Sequence, residues 1–470
     1  MLFDIDKKPV SSLAAIDDAG DQLTYGDLVA LRSGLSSVLP MRELVFCLCE
    51  NRIGALAGFI TLYDCKDVCL LLSAHIDRGL LDTLYKTYQP SYFWMPEAKV
   101  PEFGFEVVYR FKGFVLCKTG NKAPEMHSSL SMLMTTSGTT GSPKLVRHKY
   151  GNIESNAKNV ANVFGWTSLD RGIIDLPMQY TMGLNVITSH LFVGATVLLL
   201  ESNLMSPKYW QFIKEQKGTN FTGVPYSYEI LNRLRFVRMD LPYLKTLAEG
   251  GGKLSDSLFS TFASYAADKG KRFFATFGTT ETSARLAYLP PECATTHIGS
   301  IGRAIPEGRL ILIDDNGHEI QETEVEGELR YEGPNVTMGY GTCLEDLKKG
   351  DEFCGVYDTG DVAQKDTDGF YYIVGRRKRF LKLFGLRVSL DQCERIISEN
   401  FGIDCACAGD DTKMSIYITD DRIKDDVKQL IAEKTGLKSS LFDVKVLESI
   451  PHFESGKINY RELEHVISKD

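Results

Sequence analysis

One ten-residue stretch combines small, hydroxyl-bearing and charged side chains in the order Thr135-Thr136-Ser137-Gly138-Thr139-Thr140-Gly141-Ser142-Pro143-Lys144. Small residues let backbone N–H groups come close to an anion, the hydroxyls add donors, and Lys144 adds a mobile positive charge. Apolar residues flank the stretch on both sides, which favours a loop between two strands. The pattern predicts a phosphate-binding loop, and a Ser/Gly-rich surface linker is the alternative that composition leaves open.

Two further segments place carboxylates beside glycine and hydroxyl groups. Phe277-Gly278-Thr279-Thr280-Glu281 follows a short apolar run, and Mg²⁺ favours one or two carboxylates together with substrate phosphates. Tyr357-Asp358-Thr359-Gly360-Asp361 offers carboxylates on a predicted turn, and a carboxylate can accept both hydroxyls of a ribose. The structural alternatives are a strand end with a helix cap and an Asx turn, respectively.

Positive charge is concentrated towards the C-terminus. The run Gly375-Arg376-Arg377-Lys378-Arg379 directly follows a predicted strand, and Lys382 with Gly385-Leu386-Arg387 extends it as a cationic loop. A solvated face or a nuclear-targeting patch would explain the run alone. Further on, Ser455-Gly456-Lys457-Ile458 places one lysine on a small-residue turn. Taken alone, that lysine is most simply an ordinary exposed one.

Composition narrows the class of protein. The chain has 470 residues, of which 43% are hydrophobic and 24% charged, so it is neither disordered nor collagen-like. A net charge of −9 excludes a whole-chain basic footprint for nucleic acid. The 11 cysteines form no CxxC ladder and histidine numbers only 8, so a zinc site is disfavoured and reduced thiols are expected.

The chain shows no apolar leader, and its longest apolar stretch, between Val186 and Leu200, is too short to span a bilayer. These features predict a cytoplasmic enzyme without a membrane span and without a nucleic-acid partner.

The elements that must position these segments alternate between helix and strand. Leu28, Leu31 and Leu35 share one helix face after Thr24, and short apolar runs before and after it indicate buried strands of a parallel sheet. From about residue 300 to 374, short strands separated by turns predict a small antiparallel sheet or barrel. A unit from 376 to 470 has its own helices and strands, which predicts a separate α+β lobe.

In this order and spacing, the segments resemble the adenylate-forming superfamily, which comprises acyl- and aryl-CoA synthetases, peptide-synthetase adenylation domains and beetle luciferases. The resemblance covers about residues 20 to 465. It implies an α/β fold with a large N-terminal body, residues 1–375, built of two α/β layers plus a small β-barrel. It also implies a mobile C-terminal α+β lobe, residues 376–470, that rotates between two half-reactions.

The resemblance assigns nucleotide contacts to a set of residues in the N-terminal body and at its boundary. The phosphate loop comprises Thr136, Ser137, Gly138, Thr139, Thr140, Gly141 and Lys144. Adenine is contacted by Gly250, Gly251, Gly252, Gly278 and the stacking ring of Phe277, which replaces the family's usual tyrosine. Thr280 contacts the α-phosphate and Glu281 binds Mg²⁺. Asp361 binds the ribose, and Arg376 contacts the ribose or a phosphate.

The resemblance gives the C-terminal lobe two states. Lys457 matches the adenylation lysine, which with Thr280 and Glu281 forms the implied catalytic set. Lys378 stands at the hinge position. The segment Gly385, Leu386 and Arg387 matches the loop that enters when the thiol reacts.

The implied chemistry has two steps. A substrate carboxylate attacks the α-phosphorus of ATP, supplied with Mg²⁺, and pyrophosphate leaves. A thiol then attacks the carbonyl of the acyl-adenylate and AMP leaves. Charge grows on phosphate oxygens in the first step, so catalysis depends mainly on positioning and electrostatic stabilisation.

The acid and the acceptor are only partly specified. Residues 180–189 contain no carboxylate that could hold a substrate ammonium, which favours a fatty or aryl acid without an α-amine over an amino acid. The predicted acyl pocket consists of Tyr180, Met182, Tyr226, Gly251 and Gly278, although core packing explains Met182 and Tyr226 equally well. Tyr180 stands where many acyl-CoA synthetases carry a gating histidine.

No carrier-protein segment is visible, so the thiol must come from coenzyme A or from the phosphopantetheine of a separate acyl carrier protein. Two other classes stay open: a luciferase-like oxidoreductase that acts on its adenylate, and a non-catalytic nucleotide-binding member of the superfamily. The charged residues expected at the nucleotide are all present, which argues against a non-catalytic protein: they are Lys144, Glu281, Asp361, Arg376 and Lys457.

Overall fold

The computed structural model describes residues 2–135, 144–383, 386–410, 412–453, 457–460 and 462–463. Their helices are α1 Tyr25–Ser36, α2 Ile53–Asp64, α3 Arg78–Tyr88, α4 Val100–Phe103, α5 Asn152–Phe164, α6 Thr181–Phe192, α7 Pro207–Glu215, α8 Pro225–Arg233, α9 Asp256–Asp268, α10 Leu390–Phe401 and α11 Lys424–Thr435. None of these helices is both long and apolar enough to cross a membrane.

The strands of the first half are β1 Leu13–Asp17, β2 Gln22–Thr24, β3 Leu44–Cys49, β4 Val68–Ser73, β5 Tyr92–Pro96, β6 Glu106–Phe111, β7 Phe114–Lys118, β8 Leu130–Thr135, β9 Leu145–Lys149, β10 Arg171–Ile174, β11 Thr196–Leu199 and β12 Asn220–Gly223. Those of the second half are β13 Thr246–Glu249, β14 Arg272–Phe277, β15 Ala287–Leu289, β16 Arg303–Ala304, β17 Arg309–Ile313, β18 Glu326–Glu332, β19 Tyr340–Gly341, β20 Val356–Lys365, β21 Tyr371–Arg376, β22 Phe380–Leu383, β23 Leu386–Ser389, β24 Cys405–Asp410, β25 Lys413–Ile418 and β26 Phe442–Val446.

The first large sheet has eight strands in the order β19-β9-β8-β4-β3-β5-β7-β6. Its centre is parallel: β3 pairs with β4 and β5, and β4 pairs with β8. The sequences of β3 and β4 are nearly uninterrupted apolar runs because both faces of these strands are covered. The predicted parallel sheet is therefore confirmed at its centre, while its edges are antiparallel.

The second large sheet has nine strands in the order β16-β15-β14-β13-β12-β10-β11-β1-β2. Strands β11, β10, β12, β13 and β14 run parallel. Their carboxyl ends therefore meet at one edge of the sheet, which is where open α/β sheets bind ligands.

Helices α1, α2, α5 and α6 border the core between the two sheets. Thr24 begins α1 with a capping box, in which its hydroxyl accepts from the N–H of Asp27 and the Asp27 carboxylate accepts from the N–H of Thr24. This confirms the helix start that the sequence predicts. Helix α6 is buried from Gly183 to Leu191 and so is apolar on nearly every side.

A four-stranded antiparallel sheet in the order β17-β18-β20-β21 follows the large sheets. The turn predicted around Asp361 is wrong, because the residue lies within β20, opposite Arg376 of β21. Arg376 likewise belongs to a strand and not to a loop. A register shift between Val362 and Ala363 accompanies this pairing.

The chain beyond Arg376 builds two small sheets of its own, β22-β23 and β24-β25-β26, covered by α10 and α11. Ser389 caps α10 by accepting from the N–H of Gln392, as its sequence indicates. A hydrophobic cluster forms entirely from residues between 381 and 444, separate from the clusters of the large sheets. Such a core is what an independent lobe requires.

Candidate active site

Two neighbouring parallel strands, β13 and β14, end side by side and carry the predicted adenine contacts. Strand β13 ends at Glu249 and is followed by Gly250 and Gly251, while β14 ends at Phe277 and is followed by Gly278. The backbone folds so tightly here that only glycine fits at 278, where a Cβ would lie 1.4 Å from the carbonyl oxygen of Ala284. The sequence signal of glycines at strand ends therefore has a steric cause.

Glu281 lies in a short 3₁₀ turn, Thr280–Thr282, just beyond this glycine. The phenol of Tyr340 donates a hydrogen bond of 2.8 Å to Oε1 of Glu281. The ammonium of Lys144 lies 4.1 Å from the centroid of the same tyrosine ring. Tyr340 thus links the predicted Mg²⁺ ligand to the lysine at the end of the predicted phosphate loop.

Tyr340 and its neighbour Tyr357 escaped the sequence reasoning. Their hydroxyl oxygens lie 3.5 Å apart, and burial, followed by the nearby charge of Glu281, raises the pKa of both phenols. Both rings therefore remain neutral donors at physiological pH. The signal that could have found Tyr340 is its place between two glycines, Gly339 and Gly341, in a segment that forms an edge strand beside β9.

Asp361 is a buried carboxylate with one cationic neighbour. Nε of Arg376 lies 3.4 Å from its Oδ1 across the β20–β21 pair. Burial raises the pKa of Asp361 to about 6, and Arg376 and the Thr359 hydroxyl oppose that rise. The Asp361 carboxylate is ionised at neutral pH, and the burial of its charge lowers the stability of the folded state.

Lys457 comes from the far end of the chain to the same place. Its backbone carbonyl accepts from the N–H of Phe453, which holds the segment in a small antiparallel turn. The side chain of Lys457 is exposed. Desolvation by the surrounding protein nevertheless lowers the pKa of its ammonium, Arg376 lowers it further, and the charges of Asp361 and Glu281 oppose this. The charges of Arg376, Asp361 and Glu281 thus all act on Lys457, although Glu281 and Lys457 lie 176 positions apart along the chain.

The predicted acyl-pocket residues divide into a wall and a rim. A Cβ at Gly251 would lie 3.2 Å from the methyl carbon of Met182, so this methionine lines the glycine segment. Tyr180 and Tyr226 are instead 40% and 50% exposed and lie at the surface of the cleft. A separate small cavity of about 10 Å³, enough for about one water molecule, is lined by Met132, Met134, His148, Ile153, Thr181, Leu184, Asn185, Thr188 and Ser283.

Two buried charged residues near these loops were not anticipated. Glu249 immediately precedes Gly250; burial raises the pKa of its carboxyl to about 8, and its Oε2 has no hydrogen-bond partner among the described residues. Arg285 follows the Gly278–Ala284 loop and is 2% exposed. The available signal was a charge inside an otherwise apolar segment, Thr246–Glu249 for the first and Leu286–Leu289 directly after the second.

Other predicted residues cannot be placed in the same detail. Thr136 to Gly141 and Gly385 lie outside the described residues. Leu386 and Arg387 begin strand β23, and Lys378 lies in the turn Arg377–Arg379. Gly252 and Thr280 lie beside the residues described above, at the carboxyl edge of the second sheet.

The donor set of this cleft suits a magnesium-bound triphosphate. One carboxylate, Glu281, is oriented by Tyr340 and faces a region that also holds two lysines, Lys144 and Lys457. Mg²⁺ in nucleotide sites uses few protein carboxylates because phosphate oxygens supply the remaining ligands. A second carboxylate, Asp361, is free to accept hydroxyl groups.

Comparison with known proteins agrees with this geometry. The chain is 28% identical over 359 residues to the oxalate–CoA ligase of Arabidopsis thaliana, and the aligned region covers 72% of this chain and 68% of the relative. It is 28% identical over 370 residues to the 2-succinylbenzoate–CoA ligase of Listeria monocytogenes, covering 75% of each chain. Among solved structures, the O-succinylbenzoate coenzyme A synthetase of Bacillus subtilis, in complex with ATP and a magnesium ion, superposes with a TM-score of 0.80 at 20% identity, covering 98% of both chains.

The family described as AMP-binding enzyme matches residues 67–341, more than half of the chain. This range contains the glycine segments at the ends of β13 and β14 together with Glu281 and Tyr340. The chain belongs to this family of AMP-binding enzymes, within the adenylate-forming superfamily.

Proposed function

We propose that this AMP-forming acid–thiol ligase uses the cleft around Asp361, Glu281 and Lys457 to activate a carboxylic acid that lacks an α-amine, with coenzyme A as the acceptor of the acyl group. ATP and Mg²⁺ enter as a co-substrate complex. Its two relatives are named for oxalate and 2-succinylbenzoate, both acids without an α-amine.

The residue roles follow from position and charge. The Asp361 carboxylate accepts the ribose hydroxyls, and the ring of Phe277 with Gly250–Gly252 encloses the adenine. Glu281 holds Mg²⁺ on the phosphates, with Thr280 as an α-phosphate donor. Lys144 and the segment before it contact the outer phosphates.

Lys457 is the residue that makes the first step fast. Its ammonium neutralises the charge that develops as the acid attacks the α-phosphorus, and it orients the two reacting groups. The observation that carries the proposal is its placement within the field of both Asp361 and Glu281, although it lies in the C-terminal segment. That arrangement suits a lobe closed for adenylation.

The second step requires a different arrangement of the lobe. We propose that residues 376–470 form a mobile unit, which turns about Lys378 so that Lys457 leaves and the segment around Gly385 enters. The separate hydrophobic core of this part of the chain supports movement as a rigid body. Coenzyme A is the favoured thiol because the named relatives are CoA ligases, and an acyl carrier protein is tested beside it.

The test is acid-dependent exchange of pyrophosphate into ATP by Lys457→Ala. We expect exchange to fall by about 10²–10³-fold while ATP binding by calorimetry is retained, because only the developing charge loses its partner. Lys434→Ala, at an exposed lysine of α11 in the same lobe, should leave the exchange rate unchanged. Equal exchange in wild type and Lys457→Ala would remove the assigned role.

The same assay separates the remaining classes of function. AMP and thioester formed in equal amounts with coenzyme A support the ligase, and thioester formed only with an acyl carrier protein would replace the acceptor. Oxygen uptake or light emission without thioester would indicate an oxidoreductase. ATP binding without exchange for any acid would indicate a protein that binds nucleotide without turnover.

A further inference from the structure

The side chain of Glu281, the proposed Mg²⁺ ligand, has two oxygens in different situations. Oε1 accepts a hydrogen bond of 2.8 Å from the phenol of Tyr340. Oε2 accepts no hydrogen bond from any residue that the structure describes, and Glu281 is only half-buried. One oxygen is therefore bonded within the chain, whereas the other is left for a ligand of the cleft.

The segment that carries Tyr340 also holds the main chain of Glu281. The carbonyl oxygen of Glu281 accepts a hydrogen bond of 2.9 Å from the N–H of Thr337. Three residues later, Tyr340 begins strand β19 and pairs with Val146 of β9. One short stretch, residues 337–340, thus bonds Glu281 at both its main chain and its side chain, which restricts the rotation of the carboxylate.

Buried neighbours fix the position of Tyr340 itself. Nε of the fully buried Arg147 donates to the carbonyl oxygen of Tyr340 at 3.0 Å. The ring of Tyr340 packs edge-on against Phe353, with 5.5 Å between the ring centroids, and its centroid lies 4.1 Å from Nζ of Lys144. The phenol therefore reaches Glu281 from a rigid support, and hydrogen-bonded partners of this kind orient metal ligands in proteins.

Divalent cations differ in how many oxygens they take from one carboxylate. Mg²⁺ demands nearly ideal octahedral geometry at about 2.0–2.1 Å, and the two oxygens of one carboxylate are too close together for neighbouring octahedral positions. Ca²⁺ accepts flexible geometry at about 2.3–2.6 Å and can bind both oxygens of a carboxylate. The bond from Tyr340 therefore leaves the one oxygen that Mg²⁺ needs and weakens the second oxygen that Ca²⁺ would use.

We propose that Tyr340 is a positioning residue that restricts Glu281 to one metal-binding oxygen, so that the cleft selects Mg²⁺ over the larger Ca²⁺. This inference rests on the proposed function, in which Glu281 holds the metal of the ATP complex, and it assigns the selectivity of that site. Tyr340 acts only through the carboxylate of Glu281. Partners of metal ligands commonly change metal affinity by about 10- to 100-fold when they are removed.

The test is calorimetric titration of wild type and Tyr340→Phe with ATP, once with saturating Mg²⁺ and once with saturating Ca²⁺. Both complexes carry the same nucleotide, so the ratio of their dissociation constants reports what the protein distinguishes. Wild type should bind the Mg²⁺ complex about tenfold more tightly, and Tyr340→Phe should bring the ratio to about one, mainly because the Ca²⁺ complex binds more tightly. Damage to the fold would not produce such a gain in affinity.

Two controls separate this hydrogen bond from general effects. Tyr25→Phe is the matched variant, because the buried phenol of Tyr25 donates at 2.7 Å to the carbonyl oxygen of Ala195, which precedes β11 at the edge of the sheet opposite the cleft. Its ratio should equal that of wild type. In a Glu281→Gln background, Tyr340→Phe should have no further effect on the ratio, because the carboxylate through which Tyr340 acts is absent.

Three results would overturn the inference: equal affinities of wild type for the two complexes, an unchanged ratio in folded Tyr340→Phe, or a parallel loss of both affinities in that variant. The wild-type ratio decides the question if Tyr340→Phe does not fold, since a preference for the Mg²⁺ complex supports the inference and its absence contradicts it. Failure of the proposed function looks different, because wild type would then bind ATP with neither metal.

Discussion

Two arginines of this chain, the half-buried Arg379 and the buried Arg285, lie in opposite environments. In the C-terminal lobe, Arg379 bonds the carboxylates of Asp391 and Glu394 and packs 4.0 Å from the ring centroid of Tyr460. In the N-terminal body, Arg285 has only amide, hydroxyl and ring neighbours. Burial lowers the pKa of Arg285 to about 10, whereas at Arg379 the effect of burial is outweighed by Glu394, Tyr460 and Asp391, and the pKa is raised.

The difference separates a charge that is compensated by carboxylates of the chain from a charge that has only neutral neighbours. The Arg379 cluster joins the turn after β21 to α10, and through Glu394 it joins both to β24 and to Tyr460, three residues after Lys457. All of its charges are satisfied within the chain. Arg285 joins elements as well, but its uncompensated charge lowers the stability of the folded protein.

The largest expected loss of stability follows from removal of the paired arginine. Arg379→Met leaves the carboxylates of Asp391 and Glu394, which are 33% and 13% exposed, without their cation. The substitution should lower the free energy of unfolding by about 1–3 kcal/mol, measured by denaturant titration. Arg422→Met, at an exposed surface pair with Asp420 in the same lobe, should change stability little. If Arg285→Met lost as much stability as Arg379→Met, the contrast between the two arginines would disappear.

The comparison extends to an unpaired acid, Glu249. Its folded pKa of about 8 lies above the ordinary value of 4.5, so the folded state keeps the proton while the unfolded chain releases it, and stability is lost as pH rises from 4.5 to 8. Glu249→Gln should therefore be more stable than wild type by roughly 2–3 kcal/mol at pH 8 and equal to it near pH 4. Unfolding free energies measured across this range check the trend, and a constant difference would contradict the assigned cause.

A smaller effect is expected at Asp361, which has one partly exposed cationic partner. Its folded pKa of about 6 also exceeds the ordinary 3.8, so Asp361→Asn should raise the free energy of unfolding by about 1–2 kcal/mol at pH 7, a gain that shrinks as pH falls towards 4. ATP affinity by calorimetry should fall about 10- to 100-fold, because a charged hydrogen-bond acceptor is lost. Unchanged affinity would disprove the ribose contact.

The sequence predicted the loops of this cleft better than it predicted their surroundings. Gly278, Glu281, Asp361 and Lys457 stand out because glycine, carboxylate and lysine at turns have few structural explanations when several occur in order. Tyr340 did not stand out, since an aromatic residue beside glycines is common in any core, and its role depends on a hydrogen bond to Glu281 that only folding creates.

Arg285 shows a different limit of sequence reasoning. Its segment follows a recognised loop, but whether an arginine is exposed, paired or isolated depends on which helices and strands pack over it. Asn185 and Thr222 lie 100 and 63 positions away along the chain. The turn predicted at Asp361 was wrong for a related reason, because Gly360 suggests a turn but adopts its positive φ of 73° inside a pair of strands with shifted register.

The tight fold at Gly278 also constrains how this enzyme can be redesigned. Any side chain there would displace the backbone at Ala284, whereas Leu184 and Thr188 of α6 present only side chains to the neighbouring small cavity. Laboratory libraries aimed at new acids should therefore keep the loop at Gly278 fixed and diversify these positions of α6.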